Sequence, residues 1–104
     1  MRQLHQRIRS TDNFVPALSL NRTWDYFVDR LRLSDPERGA DDLDEYEAVL
    51  LEIDGGRFLL LRYDRYPEDM VDVFVPKALT SAGHFLDAIV RELGVPPDAI
   101  TRHR

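Results

Sequence analysis

No cysteine occurs in this chain. Disulfides, thiolate metal centres and a cysteine nucleophile are thereby excluded. Lysine is nearly absent as well: Lys77 stands alone beside 13 arginines. Phosphate-backbone binding depends on clustered Lys and Arg, yet the net charge here is −5, so no nucleic acid is expected as a partner. The strictly apolar runs stop at four residues, "AVLL" and "FLLL". That is far below the length of a membrane-spanning helix, so no membrane partner is expected either. The basic start "MRQLHQRIRS" has no apolar stretch behind it and does not read as a secretory signal. Together these absences predict a cytoplasmic protein.

What is present fits one folded domain. The 104 residues are 43% hydrophobic and 32% charged, a balance that supports a core and argues against global disorder. Roughly two-thirds of the unfolded surface can be buried at this size. Charge is unevenly placed. Residues 1–9 hold three arginines and no acid, whereas Asp25 to Asp54 holds eleven acids against Arg30, Arg32 and Arg38. Residues 1–13 read as a basic, lightly attached arm, and residues 14–104 as a single α+β domain.

Periodicity supplies the elements. "FVPALSL" (14–20) is apolar but interrupted by Pro16, and reads as an extended segment lying against the body. Trp24, Phe27, Val28 and Leu31 follow at helical spacing, with Thr23 as N-cap. "YEAVLLEID", "DGGR" and "RFLLLRYDR" spell a β-hairpin, and "MVDVFVP" a third strand after the turn at "YPED". Residues 81–93 return to helical period, capped by Thr80 or Ser81, ended by Gly94, and carrying an Asp87–Arg91 pair on the polar side. The predicted fold class is α+β: helix, three-stranded antiparallel β-meander, helix, with room for a short C-terminal edge strand at "AITRH". Both helices cover one sheet face.

The two sheet faces are not alike. Val49, Leu51, Ile53, Leu59, Leu61, Tyr63, Val71, Val73 and Val75 are assigned to the helix side. The opposite side receives Leu50, Phe58, Leu60, Met70 and Phe74, more large apolar groups than a solvated face carries. This semi-apolar second face suggests a covering element, a second copy of the chain, or another protein.

Tests for chemistry are mostly negative. The acidic stretch "DDLDEYE" fails as an EF-hand: from Asp42, Tyr46 falls on position 5 and Ile53 on position 12, and from Asp41, Leu43 falls on position 3. No metal or other cofactor is therefore expected. His5, His84 and His103 show no zinc-ligand spacing. No phosphate-loop motif and no nucleophile elbow occurs, and no catalytic residue is assigned. The start of the second helix, with Lys77, Thr80, Ser81 and Gly83, is the best anion candidate, although ordinary capping explains it equally well.

Docking on another protein is the leading expectation. Asp41, Asp42, Asp44, Glu45 and Glu47 would steer a basic surface, and Tyr63, Arg65 and Tyr66 would anchor it. The chain then acts as an inhibitor, immunity-type protein, chaperone or adaptor, and not as an enzyme. The alternative is a structural or regulatory homodimer formed through the second sheet face.

Overall fold

The computed structural model describes residues 1–8, 13–53 and 56–103. Among them, seven strands form one antiparallel sheet: β1 (Arg2–Leu4), β2 (Phe14–Leu20), β3 (Glu37–Ala40), β4 (Glu45–Ile53), β5 (Gly56–Tyr63), β6 (Val71–Pro76) and β7 (Ile100–Arg102). The helices are α1 (Trp24–Leu31) and α2 (Gly83–Leu93). Across the sheet the order is β1-β4-β5-β6-β2-β7, and β3 also pairs with β4. β1 takes Leu50–Glu52 of β4 and β3 takes Glu45–Ala48, so the two share one edge end to end.

The predicted three-stranded meander is therefore corrected. β4, β5 and β6 are that meander, but it is the middle of a seven-stranded sheet. Of the four further strands, β7 falls where the sequence left room for a short edge strand, and all four had weak local signals. β1 and β7 are three residues long and β3 four, too short for alternation to register. β2 contains Pro16, a residue depleted from paired strands. Its place explains the tolerance: β7 pairs only with Leu18–Leu20, so Pro16 lies where β2 has β6 as its sole neighbour. A register shift between Pro16 and Leu18 absorbs Ala17 as a bulge. "FVPALSL" is thus part of the sheet and not a segment laid over it.

The faces are corrected by register. Ile53 pairs with Gly56, Leu51 with Phe58 and Val49 with Leu60. Odd residues of β4 oppose even residues of β5, so Phe58 and Leu60 join Val49 and Leu51 in the helix-side core. Leu59, Leu61 and Tyr63 turn to the second face. A one-residue offset reverses every side chain of a strand, and "FLLL" is apolar in both phases. Leu50 and Phe74 do lie on the second face, while Met70 precedes β6 in the turn and donates its N–H to the Pro67 carbonyl. Asp54 and Gly55, the first two residues of the predicted turn "DGGR", lie outside the described residues.

α1 starts as predicted: the Thr23 hydroxyl accepts from the Tyr26 N–H at 3.1 Å. It ends at Arg32, whose backbone is left-handed at φ 54°. α2 is ended by Gly94 at φ 67°, but its N-cap is Ala82, with no side-chain cap from Thr80 or Ser81. Asp87 pairs with Arg102 at 3.2 Å and not with Arg91. Phe85, Leu86, Ile89 and Leu93 of α2 and Phe27 of α1 fill the core against the sheet. A Cβ at Gly56 would strike the Phe85 ring, so this glycine lets α2 close on the hairpin.

Candidate functional site

The acidic stretch forms the β3–β4 loop and the first residues of β4. Ala40 and Glu45 are the last pair of that hairpin, leaving Asp41–Asp44 as its loop. The Asp41 N–H donates to the Asp44 carbonyl at 3.1 Å. Asp41 Oδ1 accepts from the N–H groups of Leu43 (2.8 Å) and Asp44 (3.3 Å), an arrangement that short acidic side chains favour in turns. Asp41 Oδ2 accepts from the Tyr63 hydroxyl at 2.5 Å. Burial raises the Asp41 carboxyl, but these three donors outweigh it and hold the group below the usual aspartate range.

Most of the remaining acids are also engaged. Asp44 accepts from the Arg65 N–H at 2.8 Å, with the Arg65 Nε 3.8 Å away. Arg38 lies 2.8 Å from Asp64, 3.9 Å from Glu45 and 4.0 Å from Glu47, and Arg62 lies 3.8 Å from Glu47. Local arginines thus relieve much of the repulsion that the sequence sets up. Asp42 forms no side-chain hydrogen bond or ion pair among the described residues.

The structure therefore brings Asp41, Asp44, Tyr63, Arg65 and Tyr66 together, gathers Glu45 and Glu47 on Arg38, and leaves Asp42 outermost. The tyrosines do not present anchors. Tyr63 is only 4% exposed and stacks edge-on between Tyr46 and Tyr66, with ring centroids 6.0 and 5.2 Å away. Tyr66 is half-buried and donates its hydroxyl to Asp72 Oδ2 at 2.6 Å. Burial, then donation to a carboxylate, raises both phenols well above the usual tyrosine range. These rings brace the loop from below. What projects is Leu43, 70% exposed at the loop tip.

Two further features went unread in the sequence. Asp72 is 1% exposed, the one buried charged side chain among the described residues. Ser19 Oγ donates to Asp72 Oδ1 at 2.7 Å and lies 2.8 Å from His103 Nε2. With the serine proton given to Asp72, Nε2 is left to donate to the serine. The order is imidazole, hydroxyl, carboxylate. A hydrolase triad instead needs the imidazole to take the serine proton, with the carboxylate on the other ring nitrogen. Ser19, His103 and Asp72 thus do not form an activated nucleophile; they tie β2, β6 and the C-terminal strand together. The available signal was a lone acid inside "MVDVFVP", and a single residue of that kind has no partner visible in one dimension.

The second face is largely closed within the chain. Leu50, Leu59 and Leu61 are each 3% exposed, and Ile8, Tyr46, Tyr66 and Phe74 pack against Ala48, Leu61 and Tyr63. The arginine-bearing ends of the chain begin on opposite edges of the sheet in β1 and β7, while Arg9 and Arg104 lie outside the described residues. Among the described residues no group of three His, Asp or Glu side chains is placed to hold a metal ion, and no helix is long and apolar enough to cross a membrane. Comparison with protein-family models, with curated proteins and with solved structures yields no match.

Proposed function

We propose that this chain is a small protein-binding module that docks stoichiometrically through its β3–β4 loop, in the manner of an inhibitor, immunity-type protein, chaperone or adaptor. The observation that carries the reading is Leu43: a large apolar side chain, 70% exposed, on a loop fixed at both flanks by Asp41–Tyr63 and Asp44–Arg65. Rigid presentation lowers the entropy lost on binding. Asp42 beside it supplies unpaired negative charge for a basic rim on the partner. The acids contribute less steering than their number suggests, because arginines neutralise most of them. Burying one leucine contributes about 1.5–3 kcal/mol, so the contact belongs with weak, transient interfaces unless the partner adds area of its own.

The test is capture of a partner on immobilised full-length chain at low ionic strength. One protein retained in fixed ratio by the wild type, lost with Leu43→Asp and weakened by salt, is the expected result. Retention undiminished by Leu43→Asp, or no retained protein, would overturn the reading. Leu43→Asp changes an exposed side chain, so loss of the fold does not confuse the outcome.

A further inference from the structure

At the strand ends remote from the acidic loop, a cleft of about 610 Å³ opens between β2, the C-terminal strand and the approach to α2. Its formally charged lining residues are both cationic, Lys77 and Arg102, and His103 stands beside them. These come from two segments far apart in sequence, in a chain whose net charge is −5. Pro16 and Leu86 give the lining an apolar part, and Ser81 adds a hydroxyl.

These three side chains are carried on hydrogen-bonded backbone. The Lys77 N–H donates to the Asn13 carbonyl at 3.0 Å, and the His103 N–H to the Ala17 carbonyl at 2.9 Å. Arg102 pairs with Leu18 across the β2–β7 ladder. Lys77 forms no ion pair among the described residues. Arg102 is held at 3.2 Å by Asp87, the acid at the rim. The Nε2 of His103 is occupied by Ser19.

We propose that this cleft binds a small organic phosphate, a phosphate monoester on an apolar body. A dianion matches the charge of Lys77 and Arg102, and charge-assisted hydrogen bonds are the stronger kind. The apolar lining receives the organic part, as small-molecule sites commonly arrange. The inference is independent of the docking surface, because Leu43 and this cleft occupy opposite strand ends.

Amide NMR titration of the full chain with phenyl phosphate, at constant ionic strength, tests it. Saturable shifts are expected in Val15, Ala17, Lys77–Gly83 and Arg102–His103. Lys77→Gln should weaken binding by about tenfold, the scale of one charged hydrogen bond. Asp87→Asn keeps a polar contact for Arg102 but removes the competing charge, and should tighten binding by about threefold; a misfolded variant cannot imitate that gain. Shifts no larger there than around Arg30 and Arg32 would overturn the proposal, as would unchanged affinity in Lys77→Gln or weakening in Asp87→Asn. Inorganic phosphate should bind more weakly, and equal affinity would refute the organic ligand.

Discussion

Asp72 shows how one side chain can organise several elements. It sits on β6 between Leu61 of β5 and Ser19 of β2 in the cross-strand register. Each carboxylate oxygen accepts one hydroxyl, from Ser19 and from Tyr66. Burying a charge is costly unless it is hydrogen-bonded, and here both oxygens are satisfied. Asp72→Ala leaves two hydroxyls without their acceptor and should cost about 2–3 kcal/mol. Asp72→Asn keeps an acceptor for one of them and should cost about 1 kcal/mol. Urea unfolding measures both; an alanine variant as stable as the wild type would show that water replaces the carboxylate at no loss. Arg38 works differently. It is exposed and faces three carboxylates, and its hydrogen bond to Asp64, followed by that group's charge, raises its already high pKa. Its effect is to let β3 and β4 carry acids side by side.

Among the elements, the two helices contrast at their ends. Both C-termini adopt the left-handed conformation, at Gly94 in α2 and at Arg32 in α1. Glycine takes it freely, whereas an L-residue with a side chain is strained by about 1–2 kcal/mol. Arg32 is exposed, so its side chain contributes little that would offset the strain. Arg32→Gly should stabilise the protein by about 0.5–1 kcal/mol after the larger unfolded-state entropy of glycine is counted. Arg32→Ala, which keeps the Cβ, should not. A shift in denaturation midpoint at constant slope distinguishes the two. The strands contrast in another way. β4 and β5 were legible because they are long and flank the glycine pair of "DGGR" in the sequence. β1 and β3 were not, because three or four residues acquire strand identity only when a neighbour is in place to pair with them; β7 lies where the sequence left room for a short edge strand.

For the whole molecule, the second sheet face decides which assembly is plausible. As a face of exposed leucines it would suit a self-complementary dimer. Leu50, Leu59 and Leu61 are instead buried within the chain, and the tyrosine cluster, Phe74 and Ile8 pack about Leu61. Among the described residues only Met1 and Leu43 are large apolar groups classed as exposed. A stable interface needs roughly 800 Å² per partner with an apolar centre, and these two do not supply it. Sedimentation should therefore return a mass near the 12.1 kDa of one chain across a wide concentration range. A concentration-dependent dimer would restore the homodimer reading.

The sequence by itself determined the helices, the central hairpin, the stop at Gly94 and the acidic character of the Asp41–Glu47 segment. Each of these is local: helical spacing, a glycine turn and charge density are complete within a dozen residues. Tertiary structure alone decided the number of strands, the pairing of the acids and the burial of Tyr63 and Asp72. Those depend on which distant segment lies alongside. In "RFLLLRY" both phases are apolar, so only the pairing of Ile53 with Gly56 could choose between them. Asp41 reads as a solvated acid until Tyr63 arrives from the next strand to bind it. The prominence of Leu43 likewise emerged only when folding had occupied its charged neighbours and left it standing clear.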